Sequence, residues 1–455
     1  MMSKKWQRAG LVLLTALPVV VVTVAWCVHR WHRLGESGAY FGGAVGNLFG
    51  LVGLPLLVVM VVLGSRLPLF ERVFGLDRTM RAHKLLAKAV VSLFLAHALL
   101  RTLKVSIKVG EGWQWSYLVS MDWAGWGMVV GRLALLALLV LSPLALVGGR
   151  LVPWRVWKPG HLLLYPAVVM GFVHAKAVGD DFAKFPYNVV WYVLAVAVVL
   201  VLVYRLVYVV RRGRRFTWDV ERTERETHDT TSLVLSRADG AGAFAARRAG
   251  QFATLRVRRP MGWSEPHPFT ISCPPGGDSL RFTIKASGDF STAMGKVAAG
   301  TPVLCEGPYG VFCPDFARER NVVMIAGGVG ITPFLSAIRH AATVAPEARI
   351  TLIWGNKTRA DIIAADELAQ LARTPLLTLV HVLSQADDAP VADAPDGVAF
   401  ETGFVGADIL KRRINPAAAT YYLCGPKPMQ RFVLAALREA FGVKPGQVQR
   451  ELFFW

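Results

Sequence analysis

Up to about position 210 the chain is written in long apolar blocks; beyond that it turns to short alternating runs broken by Gly and Pro. Blocks at 11–28, 46–63, 85–103, 127–147, 161–178 and 189–210 are each long enough to cross a hydrocarbon core, which needs roughly 20 helical residues. The pattern predicts a six-span α-helical bundle with both ends on one side. From Thr217 to about Asp315, runs such as QFATLRVRRP and SLRFTIKASGD alternate apolar and polar residues, as an antiparallel β-barrel does. From Asn321 short apolar strands alternate with helical stretches (NVVMIAGG, PFLSAIRHAATV, RITLIWG, DELAQLA), which predicts an α/β nucleotide-binding domain. The expected division is 1–215, 216–316 and 317–455.

Composition agrees with a membrane half. Of 455 residues, 54% are hydrophobic, and the mean hydropathy of +0.42 is too high for an ordinary soluble protein. The net charge of +20 first suggests nucleic acid. Much of it, however, sits beside the apolar blocks: Lys4, Lys5 and Arg8, then Arg66, Arg72, Arg78 and Arg81, then Arg150, Arg155 and Lys158, then Arg211, Arg212, Arg214 and Arg215. All belong to one side, which the positive-inside rule makes the cytoplasm. No nucleic-acid partner is expected. The expected location is the inner, cytoplasmic membrane, multi-pass, with both termini cytoplasmic. Trp113, Trp115, Trp123 and Trp126 suit an interfacial belt on the far side. The first block resembles a signal peptide but is followed by His29, Arg30, Trp31 and His32 rather than small residues. The five cysteines show no metal-binding spacing.

Ionisable residues inside a span are costly and usually functional. His83 and His97 lie at the two ends of the third span, and His161 and His174 at the two ends of the fifth. Paired by depth, His83 with His161 and His97 with His174, they offer two imidazoles to each of two metal centres. A rise of 1.5 Å per residue separates the layers by roughly 20 Å. At about 100° per residue, His97 returns to within about 40° of His83, but His174 lies about 140° from His161. The fifth span must therefore be irregular. Pro166 supplies a reason, and His161 is expected at a helix start behind Pro159 and Gly160.

The pairs H-x13-H and H-x12-H on the third and fifth of six spans resemble the ferric reductase and NADPH oxidase superfamily. The resemblance implies that His83, His97, His161 and His174 ligate two haems b. Arg101, one turn outward of His97, and Arg132, inside the fourth span, would pair with a haem propionate or draw an oxygen or anionic chelate; snorkelling to the headgroups remains open for each.

In the second half, His267-Pro268-Phe269-Thr270-Ile271-Ser272 resembles the flavin-binding strand of ferredoxin-reductase-like proteins. The resemblance implies that His267 and Thr270 contact FAD while Phe269 lies along the isoalloxazine. Lys285, Ser287, Gly288 and Thr292 in IKASGDFST match the family's pyrophosphate segment, where a Lys and exposed amides suit two phosphates. Gly327, Gly328, Gly330, Thr332 and Pro333 in GGVGITP follow a strand, open a helix, and match the nicotinamide-nucleotide loop. Cys424-Gly425-Pro426 resembles the segment beside the transferring carbon of nicotinamide, although Cys424 also reads as a small buried residue. The terminal Glu451-Leu452-Phe453-Phe454-Trp455 is similar to the family's signature in which the last aromatic, here Trp455, stacks on the flavin.

The resemblance implies an NAD(P)H oxidase or ferric reductase: hydride from cytoplasmic NAD(P)H, single electrons through FAD and two haems, and an acceptor on the far face. Dioxygen giving superoxide is the first reading. A ferric chelate, or a periplasmic partner reductase, is the alternative. Lys357 and Arg359 after the strand TLIWGN favour NADPH by pairing with a 2′-phosphate, with NADH open because Asp361 is close. With no EF-hand or SH3-type extension in the sequence, no obligatory cytosolic activator is expected.

Overall fold

The computed structural model describes residues 4–110, 112–152, 154–385, 395–416 and 419–451. It divides into two compact units, Met1–Val210 and Arg211–Trp455.

The first unit is helical: α1 (Lys4–Arg30), α2 (Gly38–Gly64), α3 (Pro68–Phe74), α4 (Leu76–Val109), α5 (Trp115–Val119), α6 (Trp126–Leu151), α7 (Trp154–Leu162), α8 (Leu164–Val178) and α9 (Tyr187–Phe216). Among the described residues, six stretches are long and apolar enough to cross a membrane: Trp6–Arg33, Gly38–Gly64, Leu76–Val109, Trp126–Pro143, Val156–Val178 and Tyr187–Gly213. α2 is the most buried of the six spans, which makes it the central helix. Its glycines explain the position. A Cβ at Gly42 would meet the Leu100 carbonyl at 3.2 Å, and one at Gly53 would meet the Phe94 ring at 2.7 Å. Small residues let two helices approach closely where no hydrophobic driving force operates between them.

The fifth span is broken at Leu163, between α7 and α8. His161 therefore sits in the last turn of α7 rather than at a helix start, and Pro159 is inside that helix. Pro166 falls in the first turn of α8, where a missing N–H is not needed; that missing donor leaves the Leu162 carbonyl unclaimed, and the helix yields there.

The second unit opens with a barrel-like antiparallel sheet: β1 (Thr217–Arg225), β2 (Thr230–Ser236), β3 (Phe252–Arg259), β4 (Gly262–Trp263), β5 (His267–Thr270), β6 (Leu280–Lys285) and β7 (Pro302–Tyr309), with the short helix α10 (Asp289–Ala293) after β6. Its order is β4-β3-β7-β1-β2-β6, and β5 also pairs with β3. Next come β8 (Asn321–Gly327), α11 (Thr332–Val344), β9 (Arg349–Asn356), α12 (Ala365–Ala372), β10 (Leu377–Leu383), β11 (Val398–Thr402), α13 (Ala407–Arg413), β12 (Thr420–Cys424), α14 (Lys427–Phe441) and β13 (Val448–Glu451). These strands form a parallel sheet ordered β11-β10-β9-β8-β12-β13. One core packs Phe334, Leu335 and Ile338 of α11 and Leu368 of α12 on the sheet. The other packs Ile409 and Leu410 of α13 with Val433 and Leu437 of α14. A doubly covered parallel sheet of this kind presents ligand-binding loops at the carboxyl ends of its strands.

Candidate functional site

The four span histidines meet in pairs. His83 and His161 have ring centres 6.2 Å apart at 76°, and His97 and His174 have them 6.4 Å apart at 75°. A metal–imidazole bond of about 2 Å on each side, with roughly 1 Å from each nitrogen to its ring centre, spans about 6 Å. The spacing fits one metal ion held between each pair, and the donor set is that of a bis-imidazole haem.

Three of the four rings share one seat. His83 Nδ1 lies 2.9 Å from the Met60 carbonyl, His97 Nδ1 2.7 Å from that of Gly46, and His174 Nδ1 2.9 Å from that of Gly127. A carbonyl only accepts, so each Nδ1 donates and Nε2 keeps its lone pair for a metal. Four residues beyond each accepting carbonyl stands a glycine, Gly64, Gly50 and Gly131 respectively. A Cβ there would approach the ring to 2.9, 3.0 and 2.3 Å. These seats were missed in the sequence because a glycine inside an apolar span reads as generic helix packing. His161 has no such seat: its Nδ1 is buried without a hydrogen-bond partner, and its ring stacks on Trp157.

A cavity of about 180 Å³ opens between His97 and His174. Arg101 and Asn47 line it, and Arg101 donates to the Asn47 side-chain oxygen at 3.1 Å. The Asn47 amide in turn donates to Asp181, which also pairs with Arg30 at 2.5 Å. Arg101 is thus held at the cavity wall. Arg132 also lines the cavity, but its guanidinium donates to the Tyr117 carbonyl at 3.1 and 2.5 Å and to the Ser120 carbonyl. It tethers α5, whose Tyr117 and Leu118 form part of the wall.

In the barrel, β5 carries His267 and Phe269 on one side of the strand, and both lie nearly parallel to Phe290 of α10, at 3.9 Å and 18° and at 6.0 Å and 14°. Burial holds the His267 imidazole below its ordinary range, and its Nε2 is buried without a partner. Pro268 is half-buried and Thr270 buried. The Ser272 hydroxyl turns inward to Thr283 and the Arg281 carbonyl. Lys285 pairs with Asp229 at 2.8 Å. The Ser291 hydroxyl accepts from the Ser287 and Gly288 amides, and the Thr292 amide bonds the Gly288 carbonyl. The segment is a tight turn held by its own side chains.

In the parallel sheet the two predicted loops interlock. A Cβ on Gly330 would lie 2.5 Å from the Cys424 carbonyl, one on Gly327 2.2 Å from Met429 Sδ, and one on Gly425 3.1 Å from the Gly327 amide. Trp354 donates to the carbonyl of Gly328, which has φ +51°, a conformation glycine adopts without strain. Thr332 and Pro333 open α11, with the Thr332 hydroxyl on the Val329 carbonyl. Cys424 is fully buried at the end of β12, which pushes its thiol up, and Pro426 caps α14. Gln430 joins the Gly425 carbonyl to that of Glu451. Lys357 is exposed, and Arg359 lies 4.8 Å over the Phe400 ring. Asp361 accepts from the Thr358 amide and hydroxyl, capping its own turn. Asn356, buried at the carboxyl end of β9, has both amide atoms unpartnered; it escaped the sequence reading because it lies outside the glycine motif. Trp455 lies outside the described residues.

Residues 49–172 match the family described as "Ferric reductase like transmembrane component", and residues 324–435 match "Oxidoreductase NAD-binding domain". A flavohemoprotein of Xylella fastidiosa (strain Temecula1) is 31% identical over 53% of this chain and 58% of its own length. The reductase component of a propane 2-monooxygenase of Mycolicibacterium goodii is 32% identical over 52% of this chain and 66% of its own. The chain thus spans less than two thirds of these curated relatives. The flavohem-like FAD/NAD-binding domain of a nitric oxide dioxygenase from Vibrio cholerae is 24% identical, covering 52% of this chain and 98% of that one, at TM-score 0.45. A ferric reductase-like membrane component followed by an NAD-binding reductase domain in one chain is consistent with the ferric reductase and NADPH oxidase superfamily.

Proposed function

We propose that this ferric reductase and NADPH oxidase-like chain is an oxidoreductase that carries electrons from cytoplasmic NADPH, or NADH, across the inner membrane to dioxygen, giving superoxide. The observation that carries the reading is the pairing of His83 with His161 and of His97 with His174 at spacings that fit a bound metal. FAD supplies the conversion of a two-electron hydride donor into single electrons, and two b-type haems supply the transmembrane relay. The division of labour follows 1–215, 216–316 and 317–455, with both termini cytoplasmic.

Each residue has a local task. His83, His97 and His174 hold their metal-facing nitrogens deprotonated by donating from the other nitrogen to a carbonyl. His267, Phe269 and Thr270 would contact the flavin from β5, and Lys285, Ser287, Gly288 and Thr292 would serve its phosphates, Lys285 by exchanging its Asp229 partner. Gly328 leaves open space for a dinucleotide backbone at the start of α11, while Gly327 and Gly330 let the loop pack against the Cys424–Pro426 segment. Cys424, Gly425 and Pro426 lie against that loop, and Lys357 and Arg359 sit where a 2′-phosphate would lie. The capping of Thr358 by Asp361 occupies that acid and supports NADPH. Trp455 is proposed to gate the flavin face.

Dioxygen is favoured over a ferric chelate because Arg132 ties α5, whose Tyr117 and Leu118 form part of the wall of the cavity at His97 and His174, and a wall held in this way suits a small acceptor better than a bulky one. Superoxide and ferrous iron measured in parallel on purified protein with NADPH test the assignment. Ferrous product without superoxide would replace dioxygen by the chelate.

A further inference from the structure

His161 differs from the other three span histidines in how it is held. Each of those donates Nδ1–H to a backbone carbonyl of a neighbouring helix, α2 for His83 and His97 and α6 for His174, over a glycine that makes room for the ring. The Nδ1 of His161 is buried and has no partner. What it has instead is Trp157, one turn earlier on α7, with the two rings 5.1 Å apart and only 6° from parallel. The break at Leu163 places His161 at the end of a short helix, where a ring needs some other restraint on its rotation.

We propose that Trp157 is the positioning residue for His161, fixing by stacking the ring that no carbonyl fixes, and that the haem held by His83 and His161 consequently has the higher reduction potential of the two. The argument rests on the two-haem reading. An Nδ1–H donated to a carbonyl raises the basicity of the ligating nitrogen and favours the more oxidised metal. The His97–His174 pair receives that contribution from both rings, and the His83–His161 pair from one. Hydrogen bonding around the axial ligands is one of the levers by which a protein sets a haem potential. The second contribution is missing because the His161 Nδ1 is buried away from any acceptor, and the stacked indole holds the ring in that orientation.

The test uses the full chain in detergent or nanodiscs, with haem counted per chain, potentials read by spectroelectrochemical titration and low-spin EPR recorded on each haem. His83→Leu identifies which signal belongs to this pair. In the wild type that haem is expected to titrate at the higher potential. Trp157→Leu frees the ring to find an acceptor, lowering this potential and shifting its EPR signal while the other haem is unmoved. Trp157→Phe, which still stacks, should leave both near wild type. Loss of this haem from the Leu variant but not from the Phe variant would also support positioning. Two haems with unchanged potentials in Trp157→Leu, a lower wild-type potential for this haem, or its loss from Trp157→Phe as well would overturn the proposal. A wild-type protein with one haem per chain would instead overturn the two-haem reading, and this inference with it.

Discussion

Gly131 gives His174 its place: a Cβ on this glycine would lie 2.3 Å from the imidazole Nδ1, closer than any side-chain carbon can come. In Gly131→Ala the ring must leave the Gly127 carbonyl or α6 must move. Overpacking of this kind costs about 1–3 kcal/mol. The expected outcome is a haem content falling toward one per chain, read as the pyridine haemochrome, with NADPH-driven flavin reduction kept. Gly50→Ala, where the approach to His97 is 3.0 Å, should do less. Full haem content in Gly131→Ala would contradict the seat.

His97→Leu removes a proposed ligand outright. It should abolish the haem on the Arg101 side, stop superoxide production and leave flavin reduction by NADPH at the wild-type rate. A variant that keeps both haems would show that the ligand assignment is wrong.

Asn356 is expected to contact the nucleotide, because a buried amide with no partner costs stability unless a ligand satisfies it. One hydrogen bond of about 1 kcal/mol corresponds to roughly five-fold in affinity. Asn356→Leu should weaken nucleotide binding by about that factor in calorimetry while leaving the melting temperature of the nucleotide-free protein unchanged or higher. A lower melting temperature with unaltered nucleotide Kd would make it a structural residue.

Glu71, in α3 between the second and third spans, is buried with one oxygen unpartnered. Burial pushes its carboxyl up to about 8, against the opposing pull of Arg66 and Arg205. The folded state therefore holds a proton that the unfolded state has released. That favours folding at low pH and is lost as pH rises from the ordinary carboxylate range through about 8. Glu71→Gln should flatten the fall in melting temperature between pH 5 and 8 and be the more stable protein at pH 8. Equal slopes for variant and wild type would remove the assignment.

The sequence disclosed most where chemistry is rare in its setting. Histidines in apolar spans, HPFT at a strand and GGVGITP between strand and helix point to their elements from the residues alone. It disclosed least where the informative residue looks ordinary. Gly50, Gly64 and Gly131 differ from other span glycines only in what lies opposite them, which is a tertiary fact. The helix break was expected from the His161–His174 angle, but its place at Leu163 depends on which carbonyl Pro166 fails to serve. For Arg132 the sequence left anion pairing and snorkelling equally open; its bonds to the Tyr117 and Ser120 carbonyls depend on the path of the chain after α4.

The carbonyls that seat His97 and His83 belong to Gly46 and Met60, fourteen residues apart on α2, the same interval that separates the two histidines on the antiparallel α4. The depth between the two seated histidines, about 21 Å along a helix, is therefore gauged twice, once on each rod. Lengthening either rod alone by a single residue between its marks would leave one imidazole seated and swing the other by about 100°. Adding a whole turn to both would carry the seats along together. A chain of this kind can be adapted to a thicker or thinner bilayer only by editing α2 and α4 in concert, and a hybrid that takes one of them from a relative of different span length should lose a haem at the junction.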